Sequence, residues 1–445
     1  MAGTLARTLR TTEYFALAFG TMVGVGWLIL IDDWLTRGGP AGAILGYFLG
    51  GLALIPVAIV YGRFVQEIPD AASELAYATK AFPSSFGYVA AWLMTLAYLI
   101  VCPWEAVAIG RILAYLIPSI QTSEIYRVGE YPIYLPALVL GLATTGLIVF
   151  LNYRGIRFSA RFQNLTTFGL LALFACIILF GFTAIHSENY QPLFSHEGVT
   201  GSLISIVLVL QIVPYFLTGF ESVPKCCEEA EAGFQKMGFM KAIFLGLGAG
   251  VVFYVLIIFV VSGLAPWKTL ASANFATAVA FRTAFHSEFI VRFILAAALV
   301  SLLKVFNANF LTASRLVFAL GRRGMVPDVL GSIHERFQSP HIAVLFCGVV
   351  TLIGMLLGRA ILIPVTEVGS MCSALGWTVT CLAFARTHQS KIAVAWLGAC
   401  VAFLFVLLKV IPAVPGSFGK WEYLALGVWL MIGFLLRRKP GIQIA

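Results

Sequence analysis

Charge is scarce in this sequence: of its 445 residues only 11% are Asp, Glu, Lys or Arg, while 60% are apolar. A water-soluble domain carries about 25% charged and about 45–50% apolar residues, so a soluble globule is excluded. Metal and thiol chemistry lack their usual signs too. The eight cysteines (Cys102, Cys176, Cys226, Cys227, Cys347, Cys372, Cys381, Cys400) form no CxxC pair and mostly sit inside apolar runs. They give neither a zinc site nor a disulfide framework and read as small core residues. All six histidines (His186, His196, His286, His334, His341, His388) fall in loops or at span ends, and neither HExxH nor GxSxG occurs. A membrane-embedded enzyme gathers nucleophile, base or metal ligands at one depth; the sequence argues against one and calls for no metal and no cofactor. It has no repeated pore-lining motif of a channel, no low-complexity tract and no attached signalling domain. The opening stretch MAGTLARTLRTTEYF lacks a small-residue cleavage site after a short apolar run, so the first span reads as its own insertion signal.

What the chain has is apolar length. Mean hydropathy is +0.95, and a helix crossing a bilayer needs about 20 apolar residues. A window of about 19 residues gives twelve candidate spans, at 13–35, 41–62, 86–117, 132–151, 160–185, 200–221, 240–263, 290–316, 341–357, 361–385, 392–411 and 421–436. The expected fold class is an all-α polytopic membrane protein with 12 transmembrane helices, in a single domain covering residues 1–445. The longest connection, 264–289, has helix-forming stretches suited to the outer surface. Lys plus Arg exceed Asp plus Glu by 29 to 20. With the N-terminus inside, nineteen of the cations fall on the cytoplasmic side and seven on the other (Arg37, Arg127, Lys268, Arg282, Arg359, Lys409, Lys420). That bias places both termini in the cytoplasm, at a cell inner or plasma membrane, and accounts for the basic balance with membrane lipid as the surroundings and no nucleic acid.

Two spans carry breakers near mid-bilayer depth. The first contains Gly20, Gly24 and Gly26 in FGTMVGVGW. Such small residues either serve close helix packing or mark unwound backbone, tolerated only where protein or a cavity satisfies it. A break would present N–H groups of Thr21 to Gly26 at the positive end of a half-helix, which suits a carboxylate. The sixth, QIVPYFLTGFESVP, holds Pro214, Gly219 and Pro224 around Glu221; a discontinuity between Pro214 and Gly219 would offer carbonyls to an ammonium group. Interrupted spans at positions one and six point to a transporter of two inverted repeats, spans 1–5 matching 6–10.

These motifs resemble those of the amino acid-polyamine-organocation (APC) superfamily. Gly20-Thr-Met-Val-Gly24-Val-Gly26 is similar to its first-span motif, and Gly39-Pro40 to the turn after it. Thr218-Gly219-Phe220-Glu221-Ser222 with Cys227-Glu228-Glu229-Ala230 resembles its sixth-span ending, and the run from Ala313 to Pro327 its eighth-span exit, with Ser339-Pro340 leading into span 9. The resemblance implies a five-plus-five inverted repeat of the LeuT-like APC fold (about 13–186 and 199–386), plus two C-terminal helices (about 391–437), working by alternating access. It further implies that the backbone of Thr21, Met22, Val23, Gly24, Val25 and Gly26 takes a substrate carboxylate, and that Leu217, Thr218, Gly219 and neighbouring Phe220 take the α-amine. Tyr215 resembles an aromatic gate, or else is a core tyrosine, and Glu221 a proton-sensing glutamate, or else a brace for the broken helix.

The remaining intramembrane charges need partners. Lys304 sits mid-span in SLLKVFNANFLTASR, where an isolated charge costs about 2.5–3.5 kcal/mol. Sodium-coupled relatives place span-8 hydroxyls against span-1 carbonyls, so an amine there implies sodium independence; the other reading is snorkelling or pairing with a carboxylate. Asn307 and Asn309 either line the cavity or join helices. Glu105, after Pro103, is a partner for Lys304, a proton carrier, a contact for a cationic substrate, or a carboxylate satisfied by a neighbouring helix. Asp32 and Asp33 cap the first span's outer end or attract amines, and Arg111 is a candidate partner for either. Many relatives have a glutamate near Arg63 and paired glycines near Ala72 and Ser73, and Trp27 is bulkier than their usual aliphatic residue. The expected substrate is a small molecule, an amino acid ahead of an amine or polyamine; the oligomeric state stays open.

Overall fold

The computed structural model describes residues 5–117, 122–273, 275–358, 362–389, 392–414 and 416–438. Of the cations counted above, Arg359, Lys391 and Lys439 lie outside the described residues. The apolar runs fold as helices. The first, α1 (Thr11–Met22), stops for three residues and resumes as α2 (Gly26–Ile29), followed by α3 (Ile31–Glu67). Within α3, Gly39 adopts φ +64° immediately before Pro40, a left-handed turn natural only to glycine, and the first span gives way to the second there. A Cβ on Gly39 would stand 2.7 Å from the Phe194 backbone.

The short α4 (Glu74–Ala78) leads into α5 (Ser84–Leu99) and α6 (Val101–Leu116), which continue each other through Ile100 in helical geometry. An antiparallel hairpin follows, β1 (Glu124–Val128) and β2 (Tyr131–Tyr134). It departs from the all-α expectation: Gly129 at φ +59° closes a tight turn between runs of tyrosine, isoleucine and valine, the composition of a small strand pair. Next come α7 (Leu135–Tyr153), α8 (Ile156–Phe182), α9 (Gly198–Leu210), α10 (Val213–Leu217), α11 (Ser222–Lys225) and α12 (Met237–Leu264). After them stand α13 (Trp267–Leu270), α14 (Ala276–Phe285), α15 (Glu288–Arg322), α16 (His341–Met355), α17 (Leu362–Thr387), α18 (Ile392–Val410) and α19 (Lys420–Leu436).

Among the described residues nine helices are long and apolar enough to cross a membrane, so the protein is a mostly helical, polytopic membrane protein. At the centre, every residue of α15 from Lys304 to Gly321 is buried; a helix hidden on all sides has no solvent face to pattern. Leu179, Phe180, Phe434 and Leu435 point outward, as lipid contact requires. Six cysteines are buried, whereas Cys176 and Cys400 are exposed and so do not fit the core expectation. The 264–289 connection is more than a surface layer. It buries Thr277 and Phe281 of α14, and Thr277 Oγ1 donates to the Trp27 carbonyl at 2.5 Å. The described ends of the chain share one face, because Ala6 N–H donates to Gln338 and Arg438 N–H to Met325, both in the connection between α15 and α16.

Gly39→Ala combines left-handed strain of about 1–2 kcal/mol with a backbone clash, and should lower the thermal unfolding midpoint in detergent by several degrees. Gly248→Ala, where nothing lies within 4 Å of the added methyl, should leave it unchanged or raise it.

Candidate functional site

A helix end leaves its last four carbonyls without intrahelical donors, and leaving a buried acceptor unpaired costs about 1–3 kcal/mol. The end of α1 is answered from two other helices. Lys304 Nζ donates to the carbonyls of Phe19 (3.5 Å), Gly20 (3.3 Å) and Val23 (2.5 Å). Asn309 Nδ2 reaches Thr21 O at 3.2 Å, Tyr254 Oη of α12 reaches Met22 O at 2.8 Å, and Ser301 Oγ reaches Gly24 O at 2.7 Å. Ser301 and Lys304, three residues apart, share a face of α15, and Asn309, eight residues after Ser301, lies about 80° round the helix from it on the other side, so the three side chains flank α1 along its broken end. All four side chains are buried. Lys304 therefore neither snorkels nor pairs directly with a carboxylate, and no ion pair with Glu105 exists among the described residues.

The second break begins within the expected stretch, at its Gly219 end. Pro214 lies in the first turn of α10, where its missing N–H is no loss, and the helix continues to Leu217 before parting at Thr218–Glu221. Gly219 makes that gap possible. Its φ is +147°, and a Cβ there would stand 2.3 Å from Thr21 Oγ1 and 2.9 Å from Met22 N, so the two breaks touch. Glu221, wholly buried, accepts from Gly219 N–H at 3.0 Å through Oε2, while its Oε1 is unpartnered among the described residues. Below it Lys225 Nζ donates to Glu74 Oε1 (2.6 Å) and to Glu221 O (2.9 Å), and Tyr61 Oη donates to the same Glu74 oxygen (2.8 Å).

A cavity of about 20 Å³ lies between the breaks, which is room for about one water molecule, so this conformation is nearly closed. Of the residues expected to bind substrate, Thr21, Met22, Gly24, Val25, Gly26, Tyr215, Thr218 and Asn309 line it, and so does Glu105. Val23, Leu217, Gly219 and Phe220 do not. Phe220 instead stacks on Trp377 at 5.7 Å, its side chain directed away from the cavity. Lys304 and Glu221 stand behind the lining, each holding one gap. Asn307 faces elsewhere, bonding Gln163 Oε1 (2.9 Å) and accepting from Asn152 (3.1 Å), and so joins α15 to α7 and α8. The sequence reading missed Trp104 and Phe216, neighbours of residues it named, and Gly369 and Ser373 of α17. That last pair, four residues apart in an apolar span, was a legible signal of a small polar face.

Charge also closes both ends of the bundle. At the face shared by the chain ends, the buried pair Arg315–Glu229 (2.9 Å) and the contacts Arg322–Glu228 and Arg323–Asp70 tie α15 to the acidic stretch and to the turn before α4. Burial pushes the Glu229 carboxyl up against the pull of Arg315. Leu9 bridges Ala230 in parallel, strapping the N-terminal segment across the same stretch. At the opposite face Asp33 pairs with Arg37 (2.8 Å), Arg37 reaches Glu367 (3.7 Å), and Lys409 pairs with Glu367. Arg111 stands over the Phe275 ring at 5.7 Å and acts on Asp32 through space.

Tyr254→Phe removes the only donor described for Met22 O and should cost about 1–3 kcal/mol, read as a lower unfolding midpoint in detergent. Tyr190→Phe, which removes a hydroxyl from a half-exposed carbonyl contact, should cost less; an equal loss would count against the special burden placed on the α1 carbonyls.

The family description "Amino acid permease" matches residues 9–435. The chain is 23% identical to the methylthioribose transporter of Bacillus subtilis (strain 168), over 98% of its own length and 95% of that protein. It is likewise 23% identical to the branched-chain amino acid permease BcaP of the same organism, over 97% and 92%. With the aromatic amino acid transport protein AroP of Escherichia coli O157:H7 it shares 25% identity, over 98% and 96%.

Proposed function

The chain belongs to the amino acid permease family, and from that premise we propose that it is a secondary transporter moving an amino acid across the membrane by alternating access. The observation that carries this reading is the contact of two satisfied helix breaks around one cavity, Thr21 against Gly219. The reading takes the chain as one domain, 1–445, of twelve spans. The nine long helices are joined by α9 with α10 and α11 as the broken sixth span, α16 as the ninth and α19 as the twelfth. An even number of crossings agrees with chain ends on one face. The inverted repeats run from about 13 to 186 and from about 199 to 386, with α18 and α19 as extra helices, and both termini lie in the cytoplasm.

In this reading the N–H groups from Gly24 to Gly26, at the start of α2, receive the substrate carboxylate, Val23 N–H being given to Phe19 O and Thr21 and Met22 lying within α1. The opened backbone at Leu217 to Gly219 receives the α-amine, and Tyr215, packed at right angles on Phe216 with ring centroids 5.0 Å apart, closes over it. Lys304 fills the acceptor cluster of the first gap with its own nitrogen, which leaves no seat for a sodium ion and makes transport sodium-independent. Glu221, a buried carboxyl that braces the second gap through Gly219 N–H, links transport to protons. The methylthioribose-transporting relative supports a second reading on the same scaffold, a substrate outside the amino acids; an amine or polyamine is the form that the Glu105 carboxylate favours.

Liposomes containing the purified chain should take up or exchange an amino acid without regard to sodium and with a clear dependence on pH. Glu221→Gln should alter the pH response. Lys304→Ala should slow transport about tenfold, as loss of roughly 1.4 kcal/mol of bracing implies, or make it sodium-dependent. Unchanged pH and ion profiles in both variants would reject these coupling roles.

A further inference from the structure

We infer that Glu105 selects the substrate's side chain, and that the site takes amino acids whose side chain ends in a cation, an ammonium or guanidinium group. The inference rests on the amino acid transport reading above. Glu105 is 2% exposed, lines the cavity, and has an oxygen, Oε2, with no hydrogen-bond partner among the described residues. A carboxylate buried in that way is costly until a donor reaches it.

The surrounding groups do not supply that donor. Val101 and Val305 of the cavity wall carry no side-chain donor, and among the described residues neither Trp104 Nε1 nor any other donor bonds Glu105 Oε2. Thr21 Oγ1 donates to the Leu17 and Ala18 carbonyls, Asn309 Nδ2 to Thr21 O and Val305 O, and Thr218 and Ser373 bond each other at 2.6 Å. No lysine or arginine is among the lining residues. Lys304, the opposite charge that acts on Glu105, is committed to three carbonyls of α1. The missing donor therefore arrives with the ligand.

Position favours a cation over a neutral donor. A Cβ on Gly24 would stand 3.1 Å from Glu105 Oε1, so the carboxylate abuts the gap where the substrate carboxylate is seated. Two neighbouring carboxylates repel. A substrate carrying a second positive group answers Glu105 and relieves the repulsion, whereas a zwitterion with an apolar side chain does neither. Of the roles open to Glu105 from sequence, this is the contact for a cationic substrate.

The test is uptake by liposomes containing the full chain, comparing lysine with norleucine and ornithine with norvaline, pairs that differ by the terminal amine. The wild type should prefer lysine and ornithine by about tenfold or more, since a site built around a polar group rejects the analogue that leaves it unpaired. Glu105→Gln should lose most of that ratio and Glu105→Leu should reverse it. Equal uptake of lysine and norleucine by the wild type overturns the inference. So does a Glu105→Gln variant that keeps the ratio and shifts only the pH profile, as a proton carrier would. Uptake of norleucine, or of other neutral, aromatic or acidic amino acids, without lysine rejects this assignment alone, while uptake of no amino acid from a panel of all these classes rejects the transport reading with it. The wild-type ratio decides even where Glu105→Leu fails to fold.

Discussion

A helix that stops inside a membrane leaves carbonyls with no water to bond, and the fold is organised around meeting them. Lys304, Ser301 and Asn309 of α15 and Tyr254 of α12 together reach the carbonyls from Phe19 to Gly24. Removing one donor orphans an acceptor where dielectric screening is weakest, so these side chains are fixed by the break they serve. The break in turn fixes which helices surround it: α15 must be central and buried, and α12 must lie close enough for a phenol to reach Met22.

The second break is held differently. Glu221 caps it from two residues away, and Lys225 carries the load down to Glu74 and Tyr61. A buried ion pair is expensive to part because each charge is then left without a partner. Opening the bundle at this end therefore has to be offset by interactions that the open state or the ligand provides. Both gaps are thus anchored to helices far away in sequence, the first to α12 and α15 and the second to α4 and α17, and they meet where Gly219 lies against Thr21 and Met22. Glycine at that position is what permits the approach.

Much of the framework was legible because bilayer thickness imposes a length on apolar runs. Helices stand where the hydropathy window placed them, and glycine and proline clusters marked the two interrupted spans. The second break shows the limit. Pro214 and Gly219 were read together as its bounds, yet in the first turn of α10 the proline's missing N–H cost nothing, and of the two only Gly219 sits in the gap. The β1–β2 hairpin was not foreseen either, because the hydropathy window ran its second strand, Tyr131–Tyr134, into the following apolar span.

By itself the sequence determined that the chain is a polytopic membrane protein, marked two glycine- and proline-bearing apolar runs as candidates for interruption, and put Glu105, Glu221 and Lys304 within or at the ends of apolar runs. Those properties follow from hydrophobic length and from backbone preferences local to a few residues. Only the tertiary structure decided that Lys304 serves carbonyls rather than Glu105, that Asn309 faces α1 while Asn307 faces α7 and α8, and that Glu105 borders the cavity with an oxygen unbonded. Each of these depends on which helix stands opposite, and the rotation of one packed helix against another is set by side chains hundreds of residues apart.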